Sequence, residues 1–507
     1  MALPEATRSV GGRLPARGAA VLVLLWAVLA GARAVGPWDL TDNDQARPAL
    51  YALDVLVHGS WLVQVDTNGA IASKPPVYTW LVAAASLLAG GFSRLALYGP
   101  TAAAVLGTAL LAAWAGARRW GATCGVLAGV MFLASSYGYK HVALARTDAV
   151  FACLVTAAAV LAWRAAERPG AGRWAAFWAV CAAVTLTKGP IGVVLAAGGL
   201  LGDALLGRGA TERLRAGRAG QHALGVLIFL VVTGAWFYLA WRSAGQPFID
   251  KVIGRELVGH AVRSDGGALP LSGFYKPALY YLGRFAPWSV LTVLALVRVV
   301  RRPDDDAGRA RAERFAAGWF LTGLAIFSIA PHQRADLLLP IVPAGALLAA
   351  RELERMLGGR SWGGAWAIAV LGGAAALGHG LVMAPRGDEA RRTALLMEVA
   401  SGTSGEMRAR LVDVDTDMAF QALLGTHVRR VDAQEAGRRL ASGPVVVATR
   451  SAEAVMEAAR AAGMTAEPRV LVRAADPVRR GRDLVVLLTS DPALGEIAVE
   501  GAAGRGR

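Results

Sequence analysis

Carboxylates and cations gather at a few places in this chain, each beside the end of a long apolar run. The first group is Asp39, Asp42, Asp44, Arg47 and Asp54, followed by Lys74-Pro75-Pro76. A second holds Tyr139, Lys140, His141, Arg146 and Asp148, and a third is Lys188-Gly189-Pro190. A fourth holds Arg255-Glu256, His260, Arg263 and Tyr275, and a fifth His332, Arg334 and Asp336. Charged side chains next to apolar helices either snorkel to lipid headgroups or mark a functional cavity. Read singly, each of these residues fits snorkelling. Taken together, basic residues in five links and carboxylates near span ends point to an anionic headgroup bound at the interface, with acids set against it. Asp44 also precedes a helical pattern with Leu50, Leu53 and Val57 on one side, so capping that helix or complementing its dipole is an equally open reading. For Arg47 the partners expected from spacing are Asp44 and Asp54.

The elements that must position these groups are set by composition. The chain is 55% apolar with a mean hydropathy of +0.44, and its apolar residues come in long runs. Such a chain is solvated by lipid. The net charge of +16 is mostly arginine in short links between apolar runs, where positive charge fixes orientation; nucleic acid is not expected as a partner. Cys124, Cys153 and Cys181 all fall inside apolar runs, so neither a disulfide framework nor a cysteine metal site is readable.

The first run, residues 18 to 35, comes after Arg8, Arg13 and Arg17, which hold the N-terminus in the cytoplasm and put the loop beyond residue 35 outside. Ala32-Arg33-Ala34 also reads as a signal-peptidase site, and cleavage there leaves the topology unchanged. The run Val77 to Gly90 is too short to cross, at roughly 14 residues against the roughly 20 required. Counting it as a span would put the arginine clusters at 118–119, 164–173, 208–218 and 298–314 outside, so it reads as a juxtamembrane helix. Further spans are expected at 98–116, 121–138, 149–164, 174–187, 190–206, 223–242, 286–300, 314–330, 336–350 and 362–384. With the first that makes about eleven, and the C-terminus lies outside.

After Pro385 the pattern changes. An amphipathic stretch at 389–399 precedes strand-like runs at 410–414, 428–431, 445–448, 469–472 and 484–488, with helical patterns at 433–440 and 452–462. The expected fold is thus a polytopic α-helical membrane protein with juxtamembrane helices in its first external loop and a small C-terminal α/β soluble domain. The division falls between a membrane-embedded part, 1–384, and an external part, 385–507. The external loops of the former are 36–97, 139–148, 243–285 and 331–335.

The polar groups also carry a resemblance. Asp44-Gln45-Ala46-Arg47 lies seventeen residues before Trp61 of Gly59-Ser60-Trp61-Leu62-Val63. Then come Lys74-Pro75-Pro76-Val77-Tyr78-Thr79-Trp80-Leu81, Ala145-Arg146-Thr147-Asp148-Ala149 and Leu186-Thr187-Lys188-Gly189-Pro190. Pro287-Trp288-Ser289 and Leu338-Leu339-Pro340-Ile341-Val342-Pro343 complete the series. In order and spacing across residues 20 to 350 this resembles the membrane C-type-fold glycosyltransferases that use polyprenyl-phosphate sugars, the bacterial aminoarabinose transferase and protein O-mannosyltransferase-like group. The resemblance implies that Asp44 and Asp148 face the reaction centre and that Lys74 and other external basic residues hold the carrier phosphate. This chain departs from the family pattern at Gln45, where a second acid is usual, at Ser73 before the lysine, and at residues 331–336.

On this reading the protein is a hexosyl- or pentosyltransferase, acting at the outer face of a bacterial inner membrane. It moves a sugar from a polyprenyl-phosphate donor to a lipid A or other lipid, glycan or protein acceptor, with inversion. Asp44 is the expected base and Asp148 the positioning acid. Lys74, helped by Arg146, Lys188, Arg263 and Arg334, is the expected phosphate clamp, with Arg47, Glu256 and His332 in support. No cofactor is obligate. A divalent cation held by Asp44, Asp148 and His332 is compatible with the residue types. The rival readings are a non-catalytic binder of lipid-linked glycan and a transporter, the latter requiring mid-span ionisable residues and repeat symmetry that the sequence does not display.

Overall fold

The computed structural model describes residues 13–35, 38–40, 43–207, 220–259, 273–357, 362–378, 387–479 and 481–499. The molecule is mainly helical, and a helix coincides with each apolar run. In chain order these are α1 (Ala16–Ala34), α2 (Asn43–His58), α3 (Val77–Leu88), α4 (Arg94–Trp120), α5 (Ala122–Ala134), α6 (Ser136–His141) and α7 (Asp148–Glu167). They continue as α8 (Ala171–Lys188), α9 (Ile191–Leu206), α10 (Gly220–Ala244), α11 (Lys276–Arg284), α12 (Trp288–Arg301), α13 (Ala307–Ile329), α14 (Val342–Met356) and α15 (Trp362–Gly378). Among the described residues, α1, α4, α7 and α10 are long and apolar enough to cross a membrane unaided, which makes the chain a multi-pass membrane protein.

Helix α7 is central: it packs against α4, α8 and α9, and its first turn meets the short 3₁₀ segment Ala335–Ile341. Small residues allow such close approach. A methyl group added at Gly202 of α9 would lie 2.2 Å from the Cα of Gly318 on α13, so these two helices touch backbone to backbone.

The run expected as one span over 121–138 is interrupted at Ser135. This residue is extended, and its hydroxyl accepts the Gly138 N–H at 3.3 Å, starting α6 in a new direction. Only glycine fits at 138, where a Cβ would sit 2.3 Å from the Phe132 carbonyl. The break matters for the site because α6 carries Lys140 and His141.

The first loop is built around a turn at Asp66-Thr67-Asn68-Gly69. The Asp66 carboxylate accepts the N–H groups of Asn68 and Ala70 at 2.9 and 3.0 Å, and Gly69 supplies the positive φ of 76°. Arg47 pairs with this Asp66 at 3.4 Å, not with Asp44 or Asp54 as its spacing suggested. Asp66 was available because its turn folds back against α2, which spacing alone does not reveal.

After residue 387, helices surround a four-stranded sheet of order β1-β2-β4-β3: β1 (Leu411–Asp413), β2 (Val446–Thr449), β3 (Arg469–Ala475) and β4 (Asp483–Thr489). The first pair is parallel and the others antiparallel. Four of the five expected strands form. Residues 428–431 do not pair as a strand, because their backbone donors are used elsewhere: Val428 N–H by the Gln421 side chain, Arg430 N–H by the Thr67 carbonyl and Val431 N–H by the Asp413 carbonyl. The helix Met418–Leu424, unmarked by any pattern in the sequence, packs on α2.

Candidate active site

Two groups of charges assemble from the positions described. The larger centres on Asp336 in the 3₁₀ turn before α14. Its carboxylate accepts from Lys140 at 3.3 Å, from Arg146 at 3.3 Å and from Arg284 at the end of α11. Arg146 also approaches Asp44 at 3.8 Å, and Arg334 donates to Asp44 at 2.8 Å. Asp44 lies in the first turn of α2, where the helix dipole favours its negative charge, and its side chain is 47% exposed. Among the described residues four cations therefore surround two carboxylates, at a surface open to solute.

His141 lies beneath this group. Its Nδ1–H donates to the Tyr137 carbonyl at 2.8 Å, which leaves Nε2 with its lone pair, 4.0 Å from Asp336. Burial is the largest influence on this imidazole and lowers its pKa, while the carboxylates of Asp148 and Asp336 pull the other way.

The second group is the pair Asp148–Lys188, both largely buried, with Lys188 Nζ also 5.7 Å from the centre of the Phe151 ring. Asp148 opens α7 and Lys188 closes α8, so each charge sits at the helix end whose dipole favours it. Gly189, at φ 111°, lets the chain turn immediately afterwards. A carboxylate held this way is a fixed charge and a weak base.

Lys74 is half-buried in the loop leading into α3 and enters neither set of described ion pairs. His332 is exposed in the turn after α13. Glu256 falls on the π-helical stretch Ile249–Gly259, with its side chain outside the described residues, as is all of Arg263. Asp44, Asp148 and His332, compatible by residue type with a cation site, do not form a ligand cluster among the described residues. Arg334 and Lys188 already neutralise the two acids.

Lys140 and Asp336 were visible in the sequence as loop charges without a role. Arg284 carried no signal beyond standing three residues before Pro287-Trp288-Ser289. An apolar groove of about 670 Å³ runs between α3, α4 and α7, lined by Leu81, Leu88, Gly99, Ala103, Val150 and Cys153 among others. Its α7 wall begins two residues after Asp148.

Comparison with known proteins agrees with this architecture. Residues 73–238 match the family model described as dolichyl-phosphate-mannose-protein mannosyltransferase. The structure of ArnT from Cupriavidus metallidurans bound to undecaprenyl phosphate superposes with a TM-score of 0.70 at 18% identity, covering 94% of this chain and 98% of that one. The same protein in the apo state gives a TM-score of 0.67 at 18% identity and the same coverages. The Archaeoglobus fulgidus oligosaccharyltransferase AglB, in complex with an inhibitory peptide and a dolichol-phosphate, gives 0.51 at 13% identity, covering 87% and 71%. A comparison with curated protein sequences gives no match. The chain is thus similar in sequence to that mannosyltransferase family over residues 73–238, and it shares the fold of the ArnT structures over nearly its whole length.

Proposed function

We propose that this protein transfers a glycosyl group from a polyprenyl-phosphate sugar to an envelope acceptor at the outer face of a bacterial inner membrane. The observation that carries the reading is the excess of fixed cations around Asp44 and Asp336 among the described residues, together with an apolar groove whose α7 wall begins two residues after Asp148. In the reaction the acceptor oxygen bonds to the anomeric carbon while the bond to the phosphate oxygen breaks. The electron pair leaves with the phosphate. Cations fixed before the reaction stabilise that charge without reorganising. Displacement from the opposite face inverts the anomeric carbon.

Asp44, exposed beside the cluster, is placed to take the proton of an acceptor hydroxyl. Arg146 and Arg334 hold its carboxylate at the edge of the cluster, on the half-exposed side from which an acceptor can approach. Asp148, with its charge met by Lys188, serves to hold the geometry, and Lys74 is assigned to the carrier phosphate. The membrane part and the sheet-containing part after residue 385 are read as two domains, the second external.

The test is reconstitution with labelled polyprenyl-phosphate sugars. Asp44→Ala and Lys74→Ala are each expected to slow transfer about 10²- to 10⁴-fold. Parent-like rates in both would refute the assignment, and lipid movement across the bilayer without turnover would favour the transporter reading.

The groove adds a separate expectation. Ala103 faces it from α4 and is exposed, so Ala103→Trp fills the space assigned to the isoprenoid chain. The variant should raise KM for a long-chain donor about tenfold, the worth of a few buried methylenes, and leave a short-chain donor unaffected. Equal effects on both donors would detach the groove from the donor.

A further inference from the structure

Away from the reaction centre, α2 ends in a second constellation. Asp54 and His58 stand four residues apart, on one face of the helix, and His427 reaches them from the segment after Met418–Leu424. One ligand atom from each of the three lies within 4.8 Å of the others. Asp54 and His427 are 2% exposed, whereas His58 opens to solvent.

Hydrogen bonding fixes what each ring presents. Nε2 of His427 faces the Val65 carbonyl at 2.9 Å, and Nε2 of His58 faces the His427 carbonyl at 3.0 Å. A carbonyl only accepts, so both Nε2 atoms carry the proton and both Nδ1 atoms keep a lone pair. The Asp54 carboxylate is divided in the same way. Oδ2 accepts the Val65 N–H at 2.9 Å, while Oδ1 faces His427 Nδ1 at 3.9 Å. That gap is too long for a hydrogen bond, and the buried Nδ1 has no partner among the described residues. A lone pair aimed at a carboxylate across such a gap is repulsive. A cation between them removes the conflict.

We infer that Asp54, His58 and His427 bind a divalent transition-metal ion, of which zinc fits the donor set best. Two imidazoles and one carboxylate are zinc ligands, and neither Mg²⁺ nor Ca²⁺ favours nitrogen. Ligand bonds of about 2.0–2.2 Å give a tetrahedral edge of about 3.3 Å, so the 3.9 Å separation closes with a small side-chain shift. Each histidine already donates its other N–H to a backbone carbonyl, the outer contact that orients metal-bound imidazoles. The exposed side of His58 leaves the fourth position to water. The ion would clip the helix that carries Asp44 to a segment 369 residues away from its last residue, His58.

Full-length protein in detergent, stripped with chelator, is titrated with Zn²⁺ by calorimetry and with Co²⁺ by visible absorption. One equivalent per chain is expected, with the d–d bands of a four- or five-coordinate Co²⁺. His58→Ala, an exposed substitution that spares the fold, should weaken binding by at least about 100-fold, more than loss of an outer-shell contact costs. His427→Gln should abolish it, and His222→Gln should leave it unchanged. Zn²⁺ should raise the thermal midpoint of the parent and not that of His58→Ala. No stoichiometric uptake by the parent, or binding that survives His58→Ala, overturns the site.

Discussion

Asp336→Asn is expected to lower the rate of sugar transfer about 100-fold while leaving donor affinity unchanged or tighter. The carboxylate touches Lys140, Arg146 and Arg284, which arrive from α6, from the loop before α7 and from the end of α11. It sets the spacing of three cations that otherwise repel one another. Asparagine keeps the shape but removes the charge, so the cations separate and the positive potential over the site rises. A more positive site attracts the donor phosphate as well as before or better. Rate suffers because a displacement of about 1 Å in a catalytic group costs about 100-fold. The signature is a fall in kcat with KM flat or lower, measured on reconstituted protein. A raised KM with kcat kept within about threefold would make Asp336 a donor-binding residue only. Asp336→Glu, retaining the charge on a longer arm, should recover part of the loss.

Glu313→Gln should be strongly destabilising, by about 3–5 kcal/mol. Glu313 is fully buried near the start of α13. Its two oxygens accept from Arg298 at 3.0 and 3.1 Å, and Arg351 and Arg355 approach at 3.3 and 3.6 Å. Arg298 also holds Glu352, and Arg351 holds Asp304 and Glu354. This network ties α12, α13 and α14 together at one end of the bundle. Neutralising its most buried member removes the one carboxylate that Arg298, Arg351 and Arg355 share, and leaves each guanidinium with only its outer partners, Glu352, Asp304 or Glu354. Sixteen residues of α13 separate Glu313 from the helix end near Arg334, a distance of about 24 Å, so transfer per folded molecule should not change. Denaturant unfolding in detergent reads the first quantity, and single-turnover transfer the second. A loss under about 1 kcal/mol would mean that water satisfies these charges.

Much of this architecture was legible because apolar runs leave the backbone few options: a helix lies at every position where a span was expected. The break at Ser135 was not, since two serines near the end of the run 121–138 do not by themselves stop a helix and the interruption depends on how tightly Gly138 packs against Phe132. Residues 428–431, Val-Arg-Arg-Val, looked strand-like, yet the Gln421 side chain and the Thr67 and Asp413 carbonyls took their N–H groups. At the site the sequence marked Asp44, Arg146 and Arg334, which converge, and Asp148 and Lys188, which pair with each other. It held no hint of Arg284. A lone arginine at the end of a nine-residue amphipathic helix reads as surface until Asp336 is placed beside it. The same holds for His427: only the four-residue spacing of Asp54 and His58 is written locally, and the third ligand is defined by folding.

During synthesis, α2 leaves the ribosome long before the segment that clasps it. His58 precedes its partner His427 by 369 residues, and the Val65 and Thr67 carbonyls await His427 and Arg430 across 362 and 363 positions. At ordinary elongation rates that is a delay on the order of tens of seconds. Through that interval the helix bundle inserts and packs, while the helix that carries Asp44 lacks its support. The helix that carries Asp44, and with it the proposed reaction centre, is therefore among the last parts of the molecule to gain its full support.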